Sequence, residues 1–216
     1  MLSVLIRTNN GEDVLLDVLR PLVSAAAEGV VRDVCFFDLG STDGTHAIAD
    51  AAGAMMITAP DDANRRTSAA LDAAPRADWI LLLDQTTVLV PGWLPEAISF
   101  VERQERVKSR KALMSAVFRP EHEPESGSAD LRRRLGVLMA NRLLSTAKLS
   151  QGILVRRAEL AGDAGTRVDW NAADPAIRLR PLLRLRSRSH LAQPTERSDD
   201  AQQAVSEASG LTRAAL

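Results

Sequence analysis

The sequence predicts an α/β fold with a mainly parallel central sheet flanked by helices. Short apolar runs alternate with helical patterns through the first half of the chain, as in folds built on a parallel sheet. Residues 79–83 are apolar along their whole length, which is typical of a central parallel strand covered on both faces. At 216 residues and 45% hydrophobic residues, the chain suffices for one domain with a full core.

The first half of the chain contains the clearest elements. Strands are predicted at residues 2–7, 34–38, 54–58 and 79–83, and helices at residues 12–28, 44–52 and 62–74. Pro21 would kink or divide the first helix, because proline lacks the N–H that a helix interior needs. Gly53 ends the second helix, and Asp61 or Asp62 caps the third.

The second half is less regular. A helix that follows Pro91 and ends near Val107, a strand at 112–118, a polar loop at 121–128, a helix at 129–145 and a short strand at 152–155 are predicted. From Gln193 onward the residues are small and polar, which is typical of a mobile tail. We therefore expect one domain over residues 1–190 and a flexible tail over residues 191–216.

Composition narrows the class of protein. No apolar run approaches the roughly 18 residues that span a bilayer. The first residues run directly into a strand without a basic segment, so no signal peptide is expected. The single Cys35 lies in an apolar run and is most simply a small core residue. We expect a cytoplasmic protein, either free or at the inner face of the membrane.

Charge is unevenly distributed although the net charge is only −1. Acidic residues dominate residues 1–100, and basic residues, nearly all arginine, dominate residues 101–192. Such asymmetry fits an anionic partner or, equally, a solvated basic face. A nucleic-acid partner is not expected.

Polar side chains follow several of the predicted parallel strands. Arg7 and Thr8 end the first strand, Asp38 ends the second and Asp84 follows residues 79–83. Ligands of such sheets lie beyond the carboxyl ends of the strands, so these residues form a candidate site. Asp38 fits either contact with a base or ribose or capping of its own turn.

Other residues near these strand ends suit phosphate or metal. Residues 41–45 start a helix, which caps itself or presents its N-terminus to a phosphate. Arg65 and Arg66 open another helix and either reach a diphosphate or lie exposed. Asp84 suits Mg²⁺ or Mn²⁺, but Thr86 stands where a second carboxylate would strengthen such a site.

Four segments occur in the order found in family 2 inverting glycosyltransferases, and the chain resembles this family over residues 2–180. They are residues 3–9, 38–45, 83–87 and 91–93. The resemblance implies the GT-A fold, a nucleoside-diphosphate sugar bound by Thr8, Asp38, Arg65, Arg66 and Asp84, and a divalent metal at Asp84. The chain departs from the family in having Arg7 in place of the usual proline and Thr86 in place of the second aspartate of the Asp-x-Asp motif.

The resemblance also suggests a catalytic base. The Ala173-Asp174-Pro175 segment retains the aspartate of the family's Glu-Asp pair, which implies that Asp174 deprotonates the acceptor. Asp169 is a nearby substitute, and Asp174-Pro175 equally fits a helix start. The arginines between Arg178 and Arg188 suit a leaving diphosphate, acidic lipid headgroups of a membrane surface, or merely solvent.

These features support three hypotheses. The leading one is a glycosyltransferase that moves a sugar to an unknown acceptor, in cell-envelope or polysaccharide biosynthesis. The second is a catalytically impaired relative that acts as a binding or scaffolding partner. The third and weakest is a nucleotidyltransferase, which would want more glycine than residues 8–11 contain.

Overall fold

A computed structural model of the protein describes residues 1–73, 77–107, 115–121, 145–161, 168, 170–179 and 182–193. The strands are β1 Leu2–Thr8, β2 Val31–Asp38, β3 Met55–Thr58, β4 Trp79–Asp84, β5 Thr87–Leu89, β6 Ser115–Pro120, β7 Ser145–Lys148, β8 Ile153–Arg156, β9 Ala176–Leu179 and β10 Leu182–Leu191. The helices are α1 Leu15–Ala27, α2 Thr45–Ala51, α3 Ala63–Ala73, α4 Trp93–Arg106 and α5 Arg157–Ala161, with a 3-10 turn at Leu149–Gln151.

A large sheet forms the centre of the molecule, with strand order β3-β2-β1-β4-β8-β6-β10-β5. The first four strands in this order are parallel to one another. Beyond them β8 runs antiparallel to both β4 and β6, while β10 is parallel to β6 and antiparallel to β5. The predicted α/β class is confirmed, and the sheet is parallel in its first half and mixed in its second.

Apolar side chains cover the sheet on both faces because successive residues of a strand point to opposite sides. Leu81 and Leu83 of β4 pack into the same cluster as residues of α1 and α4. Ile80 and Leu82 of β4 pack into the other cluster, which includes residues of α3 and α5. The apolar run at residues 79–83 is therefore a central strand covered on both sides, as predicted.

Several elements differ in position or extent from the predictions. The helix predicted at residues 12–28 begins at Leu15, and Pro21 lies inside it without dividing it. Strand β2 begins at Val31 instead of Val34, because its first residues pair with the start of β1. The short strand β5 was missed: its three residues pair with β10, about 100 residues further along the chain, so no local pattern marks them.

Strand β10 lies at the end of the predicted domain. Leu191 is the last residue of β10, and the Ala192 N–H donates to the Thr86 carbonyl at 2.7 Å. Residues 194–216 of the predicted tail, and residues 129–144 of a predicted helix, lie outside the described residues, whereas Ser145 belongs to β7. Among the helices that the structure describes, none has the length and apolar character needed to cross a membrane.

Gly152 is closely packed against side chains of the central sheet. It has a φ of +75°, and a Cβ there would lie 3.1 Å from Phe118 and 3.2 Å from Leu83. Gly29 has a similar φ of +71° with nothing within 4 Å of a Cβ. We expect Gly152→Ala to destabilise the protein by about 1–3 kcal/mol more than Gly29→Ala, because only the former adds overpacking to backbone strain. Urea unfolding measures both, and equal losses would contradict the packing argument.

Candidate functional site

The carboxyl ends of β1, β2 and β4 lie side by side, as the sequence predicted. Thr8 pairs in register with Asp38 across β1 and β2, and Arg7 pairs with Asp84 across β1 and β4. Thr8, Asp38 and Asp84 are all buried. The structure thus brings together three of the side chains predicted to bind a nucleotide sugar.

The Asp38 carboxylate holds the turn that follows β2. It accepts hydrogen bonds from the Thr8 hydroxyl at 3.1 Å, from the Ser41 N–H at 2.9 Å and from the Gly40 N–H at 3.1 Å, and also from the Ser41 hydroxyl. Burial raises the pKa of Asp38, but these hydrogen bonds outweigh it and leave the pKa below its ordinary value. The turn-capping role that the sequence left open is therefore present, and contact with a base or ribose stays a prediction.

The start of α2 is capped from within the protein. Asp43 accepts from the Thr45 N–H at 3.0 Å and from the Glu12 N–H at 2.9 Å, and the Glu12 carboxylate accepts from the Gly44 N–H at 2.9 Å. Burial raises the pKa of Asp43, but its hydrogen bonds lower the pKa overall. The N–H groups of Gly44 and Thr45 thus bond to carboxylates of the chain, as the capping interpretation expects, and phosphate binding at this helix start stays a prediction.

Arg7, which the sequence placed at the strand ends without assigning it a role, is a central residue of the site. Its guanidinium is buried and donates to Asp84 at 2.6 Å, to the Trp170 carbonyl at 2.8 Å and to the Ala172 carbonyl at 2.9 Å. The signal that would have found it is an arginine at the end of an otherwise apolar strand, beside a parallel strand that ends in aspartate. A buried guanidinium needs a counter-charge, and Asp84 is that counter-charge.

The environment of Asp84 does not fit a divalent cation. One oxygen, Oδ1, accepts from Arg7, and the other, Oδ2, accepts from the Thr86 hydroxyl at 2.9 Å and lies 3.4 Å from the Thr86 N–H. A metal ion at Oδ1 would lie against a guanidinium of the same charge sign. Over the described residues, no group of three or more His, Cys, Asp or Glu side chains is arranged to hold a metal.

Asp174, the predicted base, lies in a polar cluster with the 3-10 turn. Its carboxylate accepts from the Ser150 hydroxyl at 3.0 Å and from the Ser150 N–H at 3.3 Å, and the Lys148 Nζ is 3.1 Å away. About a third of its side chain is exposed (31%), so solvent has access to it. The alternative that Asp174-Pro175 starts a helix is wrong, because strand β9 follows at Ala176. Asp169 lies outside the described residues.

Arg66 and Trp170 bind the segment of residues 170–174 to α3. Arg66 donates to the Pro60 carbonyl at 2.8 Å and to the Asn171 side-chain oxygen. The Trp170 ring packs on Phe37 with centroids 5.0 Å apart, and its N–H donates to Thr67 at 3.3 Å. Arg66 thus holds this segment in place, whereas Arg65 is exposed. The segment, held by Arg7 as well, contacts β1 and β2 one residue before their ends.

The basic stretch between Arg178 and Arg188 forms parts of β9 and β10. Arg180 and the side chains of Arg178, Arg184 and Arg186 lie outside the described part of the chain, so their predicted contacts with phosphate or lipid stay predictions. Arg188 donates to the Glu121 carbonyl at 3.2 Å.

Comparison with known proteins gives the fold. No protein-family model and no curated protein sequence matches the chain. S. aureus TarS 1-349 in complex with UDP is similar, with a TM-score of 0.58, 16% identity, and coverage of 88% of this chain and 59% of TarS. Glucosyl-3-phosphoglycerate synthase from Mycobacterium tuberculosis in complex with Mn²⁺, UDP and phosphoglyceric acid has a TM-score of 0.53 and 17% identity, over 96% of this chain and 75% of the synthase.

These similarities confirm the predicted fold: the chain has the large sheet and flanking helices of GT-A glycosyltransferase structures. The chain spans about three fifths of the length of the TarS structure, which extends beyond the matched region. Identities of this size describe the fold alone.

The buried ion pair between Arg7 and Asp84 yields a stability prediction. Arg7→Met leaves the Asp84 carboxylate buried without its partner, so we expect a loss of about 3–5 kcal/mol in the free energy of unfolding. The double variant Arg7→Met with Asp84→Leu should recover much of that loss, because no charge is then left unpaired. Arg20→Met, which breaks an exposed pair with Asp17, is the control and should unfold like wild type. Equal urea midpoints for Arg7→Met and Arg20→Met would contradict this.

Asp38 yields a pH prediction. Because its pKa is lower folded than unfolded, its stabilising effect is complete above the unfolded pKa of about 3.9 and is lost as the pH falls through the folded pKa. We expect Asp38→Asn to be less stable than wild type at pH 7, with a difference that shrinks as the pH drops below about 4. Urea unfolding between pH 3 and pH 7 measures it. Asp50→Asn, on the exposed face of α2, is the control. A difference that stays constant over this range would refute the assignment.

Proposed function

We propose that the protein is a glycosyltransferase that moves a sugar from a nucleoside-diphosphate sugar to an acceptor hydroxyl. The observation that carries the proposal is the convergence of buried Thr8, Asp38 and Asp84 at the carboxyl ends of parallel strands in a GT-A-type sheet. Ligands of open α/β sheets lie at such strand ends. The structures of TarS with UDP and of the M. tuberculosis synthase with UDP support a uridine nucleotide as the donor's leaving group.

The donor would lie against the loops that follow β1, β2 and β4. Hydrogen bonds from backbone N–H groups to side chains join these loops. The Asn9 N–H donates to the Gln85 side chain at 2.6 Å, and the Asn10 N–H donates to the Ser41 hydroxyl at 2.8 Å. A surface held in this way is preorganised, so little conformational entropy is lost when a nucleotide binds. Exposed Arg65 at the start of α3 is suited to contact the diphosphate.

The acceptor chemistry is assigned to Asp174. Its carboxylate takes the proton from the acceptor hydroxyl while the acceptor oxygen attacks the anomeric carbon. The bond between that carbon and the diphosphate oxygen breaks in the same displacement, and the nucleoside diphosphate leaves with the electron pair. A single displacement of this kind inverts the anomeric configuration. Lys148 and Ser150 orient the Asp174 carboxylate through the contacts described above.

Nucleotide binding and turnover test the proposal separately. Calorimetry with UDP and GDP should detect binding of at least one, and UDP-sugar consumption should be measurable in the presence of an acceptor mixture. Asp174→Asn should lower turnover by on the order of 10²- to 10⁴-fold while UDP affinity changes little, because general-base catalysis is lost and the donor site is retained.

Asp78→Asn is the matched control, since Asp78 is an exposed carboxylate just before β4, at the end of the strand opposite to Asp84. It should leave both binding and turnover unchanged. Failure of every nucleotide to bind would refute the proposal, and binding without turnover in any acceptor mixture would favour the binding-partner hypothesis instead.

A further inference from the structure

Building on the proposed function, we infer that the Arg7–Asp84 ion pair takes the place of a divalent cation, so that this chain binds its nucleoside diphosphate without metal. The inference concerns one position at the carboxyl ends of β1 and β4, where Arg7 and Asp84 are direct neighbours in register. The surroundings of Asp84 do not fit the coordination that Mg²⁺ or Mn²⁺ prefers.

Both oxygens of the Asp84 carboxylate already accept hydrogen bonds within the protein. Hard divalent cations are held by carboxylate oxygens with free lone pairs, usually from more than one side chain. Asp84 gives Oδ1 to the Arg7 guanidinium at 2.6 Å and Oδ2 to the Thr86 hydroxyl at 2.9 Å. Thr86 therefore competes for the lone pairs of Oδ2 instead of adding a second carboxylate to the site.

Arg7 is itself anchored by further hydrogen bonds. Besides Asp84, its guanidinium donates to the carbonyls of Trp170 and Ala172 at 2.8 and 2.9 Å. Only 9% of the Arg7 side chain is exposed. Moving this side chain away to admit a cation would leave two carbonyls and one carboxylate without their donor, each at a cost in a buried setting. A divalent cation thus has to compete with the Arg7 guanidinium, which is already bound to Asp84.

The net charge at this position supports the same inference. A divalent cation between two carboxylates is a neutral unit, because the two negative charges cancel the two positive charges. Arg7 with Asp84 is neutral as well, because their single charges cancel and Thr86 contributes no charge. The net charge that an incoming diphosphate meets at this position is therefore the same as at a divalent metal bound by two carboxylates.

The experiment compares UDP affinity with 5 mM Mn²⁺ and with EDTA, by calorimetry, for wild type and Asp84→Asn. We expect wild-type affinity to differ by less than about twofold between the two conditions. A rise of tenfold or more with Mn²⁺ that is lost in Asp84→Asn would overturn the inference while leaving the proposed function intact. Asp61→Asn, an exposed carboxylate before α3, is the matched control for loss of one charge.

A direct metal measurement keeps the inference testable even if no nucleotide binds and the proposed function fails. Mn²⁺ titration followed by electron paramagnetic resonance should give the same bound fraction for wild type and Asp84→Asn. A site present in wild type and absent from Asp84→Asn would overturn the inference.

A designed gain of metal binding completes the test. In Arg7→Ala with Thr86→Asp the guanidinium is removed and a second carboxylate is added, so Mn²⁺ affinity should rise at least tenfold over wild type. Thr86→Asp alone, with Arg7 still in place, should show a much smaller gain. Circular dichroism establishes that each variant is folded. An equal gain in the single variant would contradict Arg7 as the group that excludes metal.

Discussion

The buried guanidinium of Arg7 requires hydrogen-bond acceptors. The acceptors that it binds hold together the chain segments at the carboxyl ends of β1 and β4, where the site lies. A charge in this position is tolerated only when it is paired and fully hydrogen-bonded. Asp84 supplies the counter-charge from β4, and the segment of residues 170–174 supplies two carbonyls from nearly the other end of the described chain. A single side chain thereby joins the first strand, a central strand and the segment that carries Asp174.

Hydrogen bonds between neighbouring strands and loops hold the rest of the site together. Thr8 donates to Asp38, Gln85 accepts from the Asn9 N–H, and Glu12 accepts from the Gly44 N–H. A Cβ on Gly44 would lie 2.6 Å from the Glu12 carboxyl carbon, so any larger residue there would make the Glu12 side chain shift. Three loops that would be mobile alone are thus held in one arrangement, which is the condition for a preorganised ligand site.

This arrangement also separates the roles of the carboxylates. Asp38 and Asp84 are satisfied within the protein and shape the site, whereas Asp174 remains partly exposed beside Lys148 and Ser150. An internally satisfied carboxylate contributes to stability and position, and an accessible one is able to take part in proton transfer. The chemistry we propose therefore depends on the segment that Arg7 and Arg66 hold in place, and changes at Arg7 should affect both the metal preference and the position of the base.

Local sequence patterns determined the α/β class, the strands β1, β2, β3 and β4, and the cluster of Thr8, Asp38 and Asp84 at their ends. They suffice because apolar strand runs, helix caps and the parallel arrangement are encoded by neighbouring residues. Sequence alone could not show that β5 pairs with β10, that Asp174 precedes a strand, or that Arg7 donates to Asp84, the predicted metal ligand. Those outcomes depend on contacts between residues up to 165 positions apart, such as Arg7 with Ala172, which only the folded chain brings together. The sequence thus predicted which strand ends form the candidate site, and the tertiary structure decided which charges are already paired there.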